Sequence, residues 1–283
     1  MEAAGGYERL LVESLQDYDI ACAVANPLQI RQFARGCGLI EKTDRLDAAI
    51  IARFAKVVQP RVTEKPTQSE RKLRALVHRR TQILSQVSSE HNRLQQTADE
   101  ETCSMIEQAI AFYKTQIQAV QTRIAEVIAE CETLAEKSRL LSSCPGVGVV
   151  TVGILLAELP ELGCLNRGQI SKLVGVAPIA CDSGQKEGKR STFAGRAPVR
   201  KVLYMAALTA TKHNEPLKQF YQRLLIKGKP KKVALVAVMR KLLITLNVIA
   251  TTKKHWAHPT AACFFDVSIK CAQKKTSSQL LTD

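Results

Sequence analysis

The chain has 283 residues, 46% of them hydrophobic, and a formal net charge of +15. That length allows more than one domain and a sizeable core. Nine cysteines is an odd number with no Cys-x-x-Cys pair, which argues against a disulfide framework or a zinc knuckle and for reduced thiols in a cytoplasmic protein. The first residues, Met1-Glu2-Ala3-Ala4-Gly5-Gly6, have no signal-peptide pattern, and no uninterrupted apolar run reaches the ~18 residues of a membrane span.

The charge is unevenly placed. Lys+Arg against Asp+Glu balances at 9 and 9 over residues 1–66 and at 10 and 10 over 67–140, and residues 141–283 hold 22 against 7. A neutral half and a strongly basic half point to a polyanion meeting the second; a generally adhesive basic domain has the same charge.

Residues 1–66 read as alternating helix and strand. Leu10, Leu11 and Leu15 predict one face of a helix over 7–16. Ile20–Ala25 is a short apolar run that ends at Asn26-Pro27, the pattern of a buried strand. Pro27 suits the first turn of a helix reaching about Ala34. Thr43 is placed to cap the next helix, with Asp44 and Asp47 in its first turn and Ile50, Ile51, Phe54 and Val58 on its buried side. Three residues apart, the two carboxylates share a face that could hold a hard cation; compensation of the helix dipole explains them equally.

Residues 67–138 change character. Positions 73, 77, 84, 87 and 94 lean apolar, and Ile106, Ile110, Tyr113, Ile117, Val120, Ile124, Val127, Cys131 and Leu134 alternate by four and three. That is a coiled-coil seam, and polar Thr97–Ser104 divides it into an antiparallel hairpin suited to spacing or pairing chains.

The basic part follows, over 139–252. Pro145-Gly146-Val147-Gly148 precedes an apolar stretch, which suits either a tight helix–helix turn or a hairpin whose amides meet DNA phosphates. A short helix over 169–176 leads into Gly175–Met205, where Ser183 stands in Asp182-Ser183-Gly184 among Lys186, Lys189, Arg190, Arg196, Arg200 and Lys201. A hydroxyl on a glycine-rich loop ringed by cations suits attack on a phosphodiester; a serine capping a turn on a basic surface fits the same residues. Helices are predicted over 200–212, from Asn214 to Leu225 and over Val233–Ala250, with residues 253–283 an irregular tail.

Several of these stretches together resemble a known family. Glu2-Ala3-Ala4-Gly5-Gly6-Tyr7-Glu8, Lys42-Thr43-Asp44-Arg45-Leu46-Asp47-Ala48, Pro145–Gly148, Gly175-Val176-Ala177-Pro178, Asp182-Ser183-Gly184, Gly195-Arg196 with Val199-Arg200, and Gly228-Lys229-Pro230-Lys231-Lys232 occur in that order. In order and spacing they are similar to the DEDD transposases of bacterial insertion sequences, of the insertion-sequence-110, -116 and -902 type. The resemblance implies an α/β, RNase H-like (RuvC-type) N-terminal part, a coiled-coil arm and a mainly α transposase domain. It implies divalent metal, Mg2+ or Mn2+, on Glu2, Asp44 and Asp47, and Ser183 as a nucleophile that becomes joined to DNA. Lys186, Lys189, Arg190, Arg196, Arg200 and Lys201 would then hold the DNA backbone. Double-stranded DNA, an element-encoded guide RNA and a second copy of the chain are the implied partners, with no membrane. The family's first aspartate, on a strand upstream of the Glu motif, has no counterpart here. The expectation is therefore an N-terminally truncated, incomplete RNase H-like part, and a catalytically inactive remnant that still binds nucleic acid stays open beside an active recombinase.

Overall fold

The computed structural model describes residues 1–41, 43–180, 182–184, 188 and 190–257. Lys42, in the second family-like motif, and residues 258–283 of the expected tail lie outside them. Two compact units emerge, Met1–Thr67 and the chain from Gln68 onward.

The first unit corrects the expected α/β reading. Among the described residues there are eleven helices and no β-sheet. Residues 20–25 are extended, as their apolar run predicts, yet their polar backbone groups are satisfied piecemeal. Ala25 donates to Met1 O (2.9 Å) and accepts from Ala3 N (3.0 Å), forming a single parallel bridge between Glu2 and Ala25. On the other side Cys22 O accepts from Thr63 N (2.7 Å), and Val24 N donates to the Thr63 hydroxyl (3.1 Å). Burial and backbone satisfaction are met without a ladder, and an apolar run cannot tell these two cases apart.

Helix α1 (Glu8–Asp17) turns a different face inward from the one its leucines predict. Val12 and Gln16 are buried, and Leu10 and Leu11 are 79% and 56% exposed. The reason is polar: the Gln16 amide donates to Thr63 O (2.8 Å) and Lys65 reaches Gln16 O (3.3 Å) and Asp17 (2.9 Å), which fixes the rotation of α1 on the 60–65 segment. Helix α2 (Pro27–Gly36) begins where Asn26 accepts from Leu28 N, with Pro27 in its first turn, and α3 (Asp44–Val58) begins where Thr43 accepts from Leu46 N. Ile30 and Ala34 of α2 pack against Ile50 and Phe54 of α3, and Phe33 meets Phe54 edge to face at 5.4 Å. Val58, expected on this face, is exposed.

The second unit opens with an antiparallel hairpin of α4 (Gln68–Leu94) and α5 (Glu100–Glu130). Lys72 faces Glu130 near the open end, and Asp99 caps α5 at the turn by accepting from Thr102 N (2.8 Å). The predicted α5 positions from Ile106 to Val127 are all turned away from solvent. Two details differ. Ile83, 2% exposed, takes the inward place assigned to Leu84, and the helix breaks at Cys131, where α6 (Glu132–Ser142) begins. The break lets the hairpin base meet α7 (Val149–Glu158): Arg74 donates to Ala157 O (3.1 Å), and Gly153 sits where a Cβ would stand 3.2 Å from Ile124.

Helices α8 (Arg167–Val174), α9 (Ala197–His213), α10 (Glu215–Ile226) and α11 (Lys231–Thr252) complete a bundle with α6 and α7. Its core runs through Leu155, Ile170, Leu203, Leu217, Leu242 and Leu246, all fully buried. By length and composition α11 is apolar enough to cross a membrane, despite the interruption at Arg240 and Lys241; half of that stretch is buried in the bundle. In the Pro145–Gly148 turn, a Cβ on Gly146 would lie 2.7 Å from the Ala210 backbone, so that glycine is required by packing on α9. Below it the Cys144 thiol is buried, and burial pushes its pKa up to about 12. Trp256 closes over this end, its amide donating to the Ser143 hydroxyl (2.8 Å).

Asn247, 1% exposed in α11, accepts from Gly163 N (2.9 Å) and donates to Leu165 O (2.8 Å), and so fixes the α7–α8 connection. Asn247→Ala would strand both groups. We expect it to cost about 2–4 kcal/mol, read as a lower urea midpoint at unchanged slope.

Candidate functional site

The loop between α8 and α9 is held at its base by two glycines. Gly175 ends α8 in the left-handed conformation (φ +78°) and Gly195 (φ +74°) lies directly against it. Side chains at either position are excluded: a Cβ on Gly195 would be 2.4 Å from Gly175 N, and one on Gly175 would be 2.1 Å from Ala194 O. The Arg200 guanidinium donates to Val174 O and Ala194 O from beneath. Arg196 is likewise engaged, donating to both Glu161 carboxylate oxygens (2.5 and 2.6 Å) and to Glu158 O (2.8 Å). These two arginines hold the base of the loop.

Above the base Ile179 and Ser191 pair across the loop. Asp182 accepts from Gly188 N (2.9 Å) and lies 3.5 Å from Arg190. The loop is thus closed by the aspartate, and its neighbour Ser183 is exposed at the head, followed by Gly184 at φ +56°. Lys201 is exposed on the first turns of α9. Lys186 and Lys189 lie outside the described residues.

The stem of this loop forms one wall of a groove of about 1250 Å³ whose other walls are α10 and α11. Among the described residues Arg167, Arg190, Arg223, Lys232, Arg240 and Lys241 border it, against one acid, Glu215. Phe220 carries two of these cations, with Lys241 Nζ 4.4 Å and the Arg223 guanidinium carbon 5.4 Å from its ring centre. Burial, with Arg223 nearby, lowers the Lys241 pKa from its ordinary value. Of the four described cations among those named from sequence, Arg190, Arg196, Arg200 and Lys201, Arg190 lines this groove. The other groove cations come from α8, α10 and α11. The signal that could have found them is spacing: Lys232, Val236, Arg240 and Lys241 recur on one face of α11.

Glu2, Asp44 and Asp47 belong to the first unit. Glu2 sits in the bridge to Ala25, Asp44 is exposed, and Asp47 is half-buried. Among the described residues no three His, Cys, Asp or Glu side chains gather to hold a metal ion, so these three do not form such a set. The acid in the first motif with a visible task is Glu8, which sequence reading gave none. Its Oε2 accepts from Ala4 N and Gly6 N (2.9 Å each) and closes the glycine turn ahead of α1. Burial alone would raise its pKa, but the amides of Ala4, Glu8 and Gly6, with Arg9 alongside, outweigh that and hold it below the usual value.

A serine on a glycine-clasped loop beside a cationic groove is an arrangement suited to phosphodiesters, and two family models agree on the class. One, described as Transposase, matches residues 1–102; the other, Transposase IS116/IS110/IS902 family, matches residues 138–222 and so contains the whole serine loop. Over these two stretches the chain is similar to this transposase family, which implies DNA as a partner. It is also similar to the pilin gene-inverting protein of Moraxella bovis, at 28% identity over 247 residues, covering 86% of this chain and 76% of that protein. The pilin gene-inverting protein of Moraxella lacunata matches with the same identity and coverage.

Proposed function

We propose that the chain is a DNA recombinase whose nucleophile is Ser183. The observation that carries this reading is the exposed hydroxyl at the head of a loop whose stem borders the cationic groove. Ser183 Oγ attacks a DNA phosphorus; the Oγ–P bond forms as the bond from phosphorus to one sugar oxygen breaks. That sugar leaves as a hydroxyl with the serine proton, and the phosphoserine ester conserves the bond for reversal onto another strand. Arg190, next to the loop head, stands against the phosphate charge. No step is routed through a metal, because Glu2, Asp44 and Asp47 are not gathered as ligands. An element-encoded guide RNA and pairing of chains through the α4–α5 hairpin belong to the same reading and rest on the family resemblance.

The test uses DNA bearing the element ends with radiolabelled phosphate. After protein denaturation and nuclease digestion, label on the peptide containing Ser183 is expected; label on another peptide removes the assignment. The uncollected acidic residues favour a second reading, a DNA-binding protein without strand chemistry. DNA retention with no label on any peptide would select it.

A further inference from the structure

The groove has features that DNA cleavage alone does not require. At about 1250 Å³ it exceeds the roughly 300–1,000 Å³ of sites for single small molecules, so its size suits a stretch of polymer. Its rim is cationic, but Val176, Pro178, Val236 and Ile244 give it apolar walls, with the Phe220 ring among them. Arg240 lines it, and the Arg240 Nε is buried with no hydrogen-bond partner among the described residues.

A surface for duplex DNA needs cations over a polar face, because the duplex keeps its bases inside and presents hydrated phosphates. Apolar walls pressed against that surface would desolvate phosphates and gain nothing in return. Unpaired nucleotides present both chemistries together, flat base faces for the apolar walls and phosphates for the rim. We propose that the groove between α10, α11 and the stem of the serine loop is a binding site for a few nucleotides of unpaired nucleic acid. The strand's phosphates meet Lys232, Lys241 and Arg240, and its bases lie along Val236 and Ile244. This deepens the recombinase reading and rests on it for its role: strand exchange must unpair DNA beside the bond being cut, and Arg190 belongs both to the groove and to the loop head.

The test measures binding by the full chain of fluorescent probes about 20 nucleotides long: oligo-dT, oligo-rU and a mixed-sequence duplex. Lys232→Glu and Arg240→Gln are compared with wild type and with Lys114→Glu, a reversal at an exposed site on α5, all with helix content checked by circular dichroism. Each groove variant is expected to lose about tenfold in single-strand affinity, with duplex binding and the Lys114→Glu protein close to wild type. Tighter oligo-dT binding assigns the site to the DNA strand at the break, tighter oligo-rU binding to a guide RNA, and equal binding to a groove that ignores the sugar. The proposal fails if folded groove variants bind single strands as wild type does, or lose duplex and single strand equally. The two readings fail separately. Label on the Ser183 peptide with unaltered groove variants removes the groove alone, and weakened groove variants without label remove the chemistry alone.

Discussion

The Ser183→Ala protein is expected to form no denaturation-resistant DNA adduct and to join strands at least about 10³-fold more slowly than wild type. The expectation follows from the loop. Asp182 already closes it through Gly188 N, so the Ser183 hydroxyl is not needed for that turn. Removing an exposed oxygen leaves the Gly175–Gly195 base and the Ile179–Ser191 pair intact. Melting temperature and DNA retention should therefore match wild type, and only the adduct should disappear. If adducts persist, another hydroxyl is the nucleophile, and Ser191 and Thr192 in the stem are next to be tested. If the adduct and thermal stability fall together, the serine is a structural part of its turn.

Gly195→Ala is expected to cost about 2–5 kcal/mol, from roughly 1–2 for a side chain in the left-handed region and roughly 1–3 for overpacking. The overpacking is against backbone: the added carbon would lie 2.4 Å from Gly175 N and 2.6 Å from Val174 O, and neither can rotate aside. Gly184→Ala is the matched control. It also has positive φ, but nothing among the described residues lies within 4 Å of the added carbon, so the strain is what remains. Urea titration of both proteins separates the contributions. Equal losses would mean that the glycines are needed for their backbone angle and not for close approach.

Sequence shows local features well and distant pairings poorly. The cap at Thr43, Pro27 in the first turn of α2, the hairpin and the basic C-terminal half are legible because each depends on residues near one another in the chain. The Ile20–Ala25 run has the pattern of a buried strand because apolarity reports burial and not the number of strands alongside. Its neighbours supply one bridge and a threonine hydroxyl. The rotation of α1 depends on Thr63 and Lys65, more than forty residues away. Arg196 and Arg200 looked like groups waiting for DNA; their acceptors, Glu158, Glu161 and Val174, are 26 to 38 residues upstream. The groove cations come from α8, α10, α11 and the serine loop, which only the bundle brings together. Of the acidic residues, Asp44 and Asp47 share the first turn of α3 as their spacing requires, but spacing says nothing of where a third carboxylate lies.

The backbone-to-backbone meeting of Gly175 and Gly195 makes the intervening segment a closed ring whose ends are already tied within the bundle. Insertions or deletions between Ala180 and Arg190 would then leave the registry of α8 and α9 untouched. Descendants of this chain could exchange the ring's head for another and acquire a different reach over their substrate without rebuilding the scaffold beneath it.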